Sequence, residues 1–119
     1  MDRINSPTEK TMHVVIFEVE PQNNKKATYL NIAQQLLVDL EKIEGFISVE
    51  RFESLTNPGK LLSLSTWQDE ASIARWRNQV SHKKAQEAGR LELFSQYRIR
   101  VAHVFRDYDF NHSPWQHEK

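Results

Sequence analysis

Few side chains in this chain are able to do chemistry, and their spacing decides among them. Five histidines are present, His13, His82, His103, His112 and His117, and no pair has the i, i+4 spacing that sets two ligands on one helical face. An incidental role is the simpler reading, and no metal site is assigned. The chain has no cysteine, which removes disulfides, zinc thiolates, Fe–S clusters and cysteine nucleophiles. Ser63 and Ser65 stand in a strand-like stretch without a Gly-x-Ser-x-Gly elbow. The glycines, Gly45, Gly59 and Gly89, are scattered and form no phosphate loop. Hydrolase and nucleotide-binding chemistries drop out.

Two groups remain. The C-terminal third carries Arg75, Arg77, Lys83, Lys84, Arg90, Arg98, Arg100 and Arg106 with few acids between them. A solvated helix face paired with the more acidic first half accounts for most of this cluster. The functional alternative is an edge that binds an anionic small molecule, with Arg90 or Arg98 as the fork-shaped partner of a carboxylate. The second group is aromatic. Trp67 closes a strand-like run and Trp76 follows nine residues on, with His82, Gln86, Phe94, Tyr97 and Arg98 after it. Where a helix lies over a sheet, such residues line an apolar pocket with a few polar groups. The same tryptophans serve equally well as plain core.

Six periodic segments, the fifth in two helical stretches, must position these groups. Met12–Glu20 is β-branched and aromatic and reads as a strand, broken by Pro21-Gln22-Asn23-Asn24. From Lys26 to Ile43 the apolar residues fall on one helical face, and Gly45 stands where a left-handed residue would end the helix. Phe46–Glu53 and Lys60–Trp67 read as strands joined through Asn57-Pro58-Gly59, a hairpin. Asp69 is a natural N-cap for a helix through Trp76. A second helical stretch from Ser81 to Ala88 ends at Gly89, and Tyr97–Tyr108 is the last strand. Trp76 and His82 are six residues apart and converge only if the helix breaks between them, as Arg77-Asn78-Gln79 and a new cap at Ser81 favour.

The order is β-α-β-β-α-β, an α+β, ferredoxin-like fold with a four-stranded antiparallel sheet and helices on one face. In the last strand Tyr97, Ile99, Val101, His103 and Phe105 share one face, and Arg98, Arg100, Ala102, Val104 and Arg106 the other. In the first, Val15, Phe17 and Val19 oppose Val14 and Ile16. Two helices cover one face of such a sheet, so an apolar second face calls for a partner sheet, and a homodimer is expected.

Length and charge agree with this. The 119 residues leave room for one domain, set at 12–109 with polar arms at 1–11 and 110–119. Lys plus Arg and Asp plus Glu are both 16, and this balance argues against a nucleic-acid or anionic-membrane partner. With 39% hydrophobic and 10% aromatic residues the chain is not of a disordered type. Residues 1–11 hold no apolar stretch, and a cytoplasmic protein is expected.

The sequence resembles the antibiotic biosynthesis monooxygenase family, the dimeric α/β-barrel group, over about Met12 to Asp109. Glu44-Gly45-Phe46 with Ser48, the run Leu64-Ser65-Thr66-Trp67-Gln68-Asp69-Glu70-Ala71, Trp76-Arg77, His82-Lys83-Lys84-Ala85 and the strand from Tyr97 carry the likeness. The resemblance implies a ferredoxin-like monomer whose sheet closes a barrel with a second copy, and a ligand cavity between sheet and helices. Haem-degrading relatives pair a helical Trp with a haem-ligating His ten residues later and a strand Asn. Trp76 matches, Gln86 stands at the ligand position, and the first strand has no Asn. Relatives that oxidise anthrone-like polyphenols have an Asn four residues before the strand-end Trp and a Tyr six after it. Here those positions are Ser63 and Ile73 around Trp67. The resemblance therefore implies a cofactor-independent monooxygenase in which an aromatic or quinol-like molecule loses a proton and reacts with O₂ directly, with no cofactor and no metal. His82 is the preferred base, with Trp76 beside it, and Trp67, Gln86, Phe94, Tyr97 and Arg98 are the substrate-binding candidates. His82 capping the second helical stretch at the surface is the alternative for that residue. A non-catalytic ligand- or haem-binding dimer is the alternative for the whole.

Overall fold

The structure, a computed structural model, describes residues 12–79 and 93–113. The elements are β1 (His13–Pro21), α1 (Lys26–Glu41), β2 (Phe46–Glu53), β3 (Leu61–Trp67), α2 (Glu70–Arg77) and β4 (Phe94–His103), with a short 3₁₀ turn at Phe110–His112. The sheet order is β2-β3-β1-β4, and every pair is antiparallel. This is the expected ferredoxin-like β-α-β-β-α-β arrangement.

Register divides the sheet into two chemical faces. Val15, Phe17 and Val19 of β1 stand opposite Ser65, Ser63 and Leu61 of β3 and opposite Val101, Ile99 and Tyr97 of β4. Because side chains alternate, this set faces the helices, joined by Val49 and Arg51 of β2, which pair with Ser65 and Ser63. The other face carries Val14, Ile16, Leu62, Leu64 and Phe52, with Glu18 bridged to Lys60 at 3.2 Å and to Arg100 at 3.3 Å. Phe52 is 43% exposed and the other four are half-buried.

The helix side holds two separate clusters. One gathers Leu40, Ile43, Trp67 and Ile73, with Val15, Phe46, Val49 and Trp76 packed against it. The other gathers Val19, Tyr29 and Leu61, with Phe17 and Phe94. Large residues at the two ends of β3, Leu61 and Trp67, anchor one cluster each, while Ser63 and Ser65 lie between them. The middle of the helix–sheet interface is therefore underfilled.

Several boundaries differ from the sequence expectation: β1 lies one residue later than Met12–Glu20, β3 starts at Leu61 instead of Lys60, and the last strand and α1 differ for reasons the hydrogen bonds show. The last strand, expected over Tyr97–Tyr108, runs from Phe94 to His103. It starts earlier because β1 continues to Pro21, which pairs with Phe94 past an irregularity, and because the Gln22 N–H donates to the Leu93 carbonyl at 2.6 Å. Its ladder runs out where β1 begins at His13, closed by the Val104 N–H donating to the Met12 carbonyl at 2.9 Å. Pro21 sits at that irregularity, where a missing donor in an inner strand is tolerated. Helix α1 ends at Glu41 instead of Ile43, since the Lys42 and Ile43 N–H groups bond three residues back, to Asp39 and Leu40.

Asp69 caps α2 as expected. Its carboxylate accepts from the Ser72 N–H at 2.8 Å, and the Ser72 hydroxyl accepts from the Asp69 N–H at 3.4 Å, a reciprocal capping box. These hydrogen bonds to Ser72 hold the Asp69 carboxyl below the usual carboxylate range. Gly45 has φ +96°, a left-handed value, and its position fits against Ser72. α2 stops at Arg77, with the Asn78 N–H donating to Ala74 and the Gln79 N–H to Trp76, so one helix does not run on to Ser81. The second helical stretch proposed over Ser81–Ala88 lies outside the described residues. Among the described residues no helix is long and apolar enough to cross a membrane.

Candidate functional site

The gap between the two clusters is a cavity of about 510 Å³, roofed by α1 and α2 and floored by the sheet. That volume is within the range of small-molecule sites. Most of its wall is apolar: Phe17, Ile32, Leu36, Trp76, Phe94 and Ile99 are representative. Its mouth lies along β4, the edge strand, where Tyr97, Ile99 and Val101 are 46%, 45% and 51% exposed. Phe94 organises one end, packing edge-on to Phe17 at 5.8 Å and to Tyr29 at 5.6 Å, with Tyr97 at 5.9 Å. Such edge-to-face contacts set the ring orientations and leave faces open to a planar guest.

The sequence candidates divide cleanly. Trp67, Trp76, Phe94 and Tyr97 all line the cavity. Trp67 is also core, 1% exposed, and its indole N–H donates to the Ser65 hydroxyl at 2.9 Å. Trp76 comes from the last turn of α2, the helix whose first turn the Asp69–Ser72 box fixes. Arg98 does not join them. Alternation in β4 sends it to the opposite face, where it pairs in register with Glu18 and adds to the positive charge around that carboxylate. His82 and Gln86, and Arg90 as well, lie outside the described residues. Among the described residues, no three of His, Cys, Asp and Glu come together.

Sequence reading missed four polar liners: Tyr29, Arg51, Ser63 and Ser65. Ser63 and Ser65 were visible as strand residues, but their inward direction follows only from the register with β1. Arg51 is the unexpected one. The alternation in Phe46–Glu53 places it on the side of Val49, facing the helices, and its Nε is enclosed with no hydrogen-bond partner among the described residues. The Tyr29 hydroxyl lies beside it. Burial pushes that phenol above its ordinary pKa, and the Arg51 guanidinium opposes the shift. A clue existed: an arginine on the inward phase of a strand breaks the binary pattern, and such breaks concentrate at functional positions.

An apolar cavity between a ferredoxin-like sheet and its helices, walled by aromatics and given a few inward polar groups, has the form of a small-molecule site on an α+β fold. The chain belongs to the antibiotic biosynthesis monooxygenase family, whose model matches residues 12–88. It is 47% identical over 93 residues to jasmonate monooxygenase ABM of Pyricularia oryzae, a match covering 78% of this chain and 43% of that protein. The chain thus spans less than half the length of that curated relative. It is 28% identical to the uncharacterized protein YqjZ of Bacillus subtilis over 106 residues, covering 89% and 90% of the two chains. Among solved structures, Rv0793 of Mycobacterium tuberculosis superposes with a TM-score of 0.73 at 12% identity, covering 82% of this chain and 99% of that one. SO0527 of Shewanella oneidensis gives 0.72 at 14%, covering 81% and 93%. At these identities the structural likeness speaks for the fold alone.

Proposed function

We propose that this chain is a cofactor-independent monooxygenase acting on a small, mostly apolar, aromatic or quinol-like molecule bound in the cavity. The observation that carries the proposal is the 510 Å³ space itself, bounded by Phe17, Phe94, Tyr97 and Trp76, faces on which a planar substrate stacks. Family membership supports the reaction class, and the Pyricularia oryzae relative, by its name, joins that class to a small organic substrate.

In this reading the substrate carries an activated methylene or phenol. His82 removes a proton as general base, and the carbanion or phenolate left behind is electron-rich enough to reduce O₂. For a methylene the balance closes on substrate and oxygen: CH₂ plus O₂ gives C=O plus H₂O, one oxygen atom entering the product. The cavity wall contributes exclusion of water and orientation. The outer face of the sheet, with Val14, Ile16, Leu62, Leu64 and Phe52, meets the same face of a second copy, making a homodimer.

The test is oxygen uptake by the full chain with reduced quinols and anthrone-like phenols. Metal-free, chelator-insensitive turnover that falls at least about ten-fold in His82→Ala supports the base and the reaction. Unchanged turnover in that variant removes His82 from the mechanism. Saturable quinol binding with no oxygen uptake identifies a ligand-binding dimer instead.

A further inference from the structure

We propose that the cavity's substrate is an acid, and that Arg51 is the residue that recognises its carboxylate. The inference rests on the cavity being the binding site, as above, and adds the chemical class of what enters it.

The charge inventory points this way. Among the described liners two residues are ionised, Arg51 and Arg77; both are cationic, and none is Asp or Glu. Arg77 is exposed at the rim, where solvent screens it. Arg51 is half-buried, rooted in β2 behind Val49 and beside Ser63 of β3. No ion pair joins it to a carboxylate among the described residues, and its Nε is enclosed without a partner. Removing a cation from water without a counter-ion is costly, and the cost is recovered when an anion arrives.

The neighbours fit a carboxylate. The fork of a guanidinium matches two carboxylate oxygens, and the Tyr29 and Ser63 hydroxyls line the same cavity as further donors. A phosphate dianion calls for more: a second buried cation, or the backbone N–H groups of a glycine-rich loop. The described wall offers neither: its other cation, Arg77, is exposed, and apart from the Ser65 hydroxyl the remaining surface is hydrocarbon and aromatic. The ligand is thus an amphipathic monoacid, its carboxylate against Arg51 and its body against Phe17, Phe94 and Tyr97.

The experiment compares 2-naphthoate with 2-naphthamide, the same ring system with and without charge, by calorimetric titration of the full chain at pH 7. Wild type is expected to bind the naphthoate about ten-fold or more tightly than the amide. Arg51→Met should erase that preference while leaving amide affinity within about two-fold, and Arg51→Lys should retain part of it. Lys42→Met, an exposed cation removed elsewhere, should leave the preference intact. Circular dichroism checks that the variants fold, and the wild-type comparison needs no variant at all. Equal affinity for the two probes in wild type overturns the acid proposal and leaves the cavity reading standing. A preference that survives in Arg51→Met overturns the assignment of Arg51 as the residue that recognises the carboxylate. Failure of both probes to bind wild type overturns the cavity reading and this proposal with it. Naphthoate preference without oxygenase activity keeps the acid site and removes the catalytic reading.

Discussion

Gly45→Ala tests how α2 is held over the cavity. Gly45 has φ +96°, and a methyl group added there meets the Ser72 Oγ at 2.5 Å and the Ser72 Cβ at 2.6 Å. The backbone strain of a non-glycine residue on this side of φ space is about 1–2 kcal/mol. The overlap adds to it, because carbon atoms pack best at about 3.5–4.0 Å. Ser72 cannot swing aside. It is fully buried, its hydroxyl donates to the Asp69 carbonyl at 2.8 Å, and its N–H is held by the Asp69 carboxylate. Overpacking of this kind costs about 1–3 kcal/mol, so Gly45→Ala should lose about 2–5 kcal/mol in a urea titration. That is a large share of the total stability of a small domain. The two contributions separate in a double-mutant cycle with Ser72→Gly, which removes both clashing atoms. The strain remains and the overlap goes, so the pair should be less destabilised than the sum of the singles by about 1–3 kcal/mol. Additive losses, or a Gly45→Ala cost below about 1 kcal/mol, would refute the account of a glycine required by close packing.

Leu64→Arg, in the middle of the outer face, should convert a dimer to a species near the 14.1 kDa chain mass in sedimentation, with the circular dichroism spectrum retained. A wild-type chain that sediments as a stable monomer at micromolar concentration sinks the dimer. Asp69 and Glu18 both have carboxyls lowered below their ordinary range, the first chiefly by Ser72 hydrogen bonds, the second by its Lys60 contact with Arg100 contributing. A pKa lowered on folding stabilises the native state above the unfolded value, and that stability is lost as pH falls through the folded value. The urea midpoint should therefore drop from pH 6 toward pH 3, and less steeply in Asp69→Asn; identical slopes would remove Asp69 from the acid transition. Ser63→Leu should fill the middle of the cavity, leaving thermal stability equal or higher while 2-naphthoate binding falls about ten-fold or more. Retained binding would place the ligand elsewhere.

Periodicity and punctuation made the fold legible. The strand Phe46–Glu53 and the cap at Asp69 coincide with the observed elements, because alternation and capping are local properties that neighbours reinforce. The ends of β1, α1 and β4 were not legible, since a strand stops where its partner does, and the partner is distant in sequence. Trp67, Trp76, Phe94 and Tyr97, picked out by residue type, line the cavity, and two-residue alternation had already separated Tyr97 from Arg98. Arg51 was missed for a physical reason. Its strand was read as one half of a hairpin, and the direction of its side chain depends on a pairing with β3 across an irregularity between Phe46 and Ser48.

That irregularity and the serines of β3 act together. One face of β3 reads Leu61, Ser63, Ser65, Trp67, with large apolar residues at the ends and small polar ones between. Packing alone would favour leucine or valine at both central positions, since a filled interior gains the dispersion contacts that a void forfeits. Ala33 on α1 repeats the choice from above, presenting a methyl group where Tyr29 and Leu36, one turn to either side, are large. The Trp67 indole N–H, which would otherwise be an unpaired donor in an apolar wall, is satisfied by the Ser65 hydroxyl. One serine therefore does two jobs, making space and closing a hydrogen bond. The irregularity in β2 lets Val49 share the helix side with Phe46, and alternation then places Arg51 on that side too, so the sheet floor of the space is apolar with one charged corner. A helix–sheet sandwich with small residues at its centre and an enclosed guanidinium has the space and the charge that the proposed acid site requires, at some expense in packing.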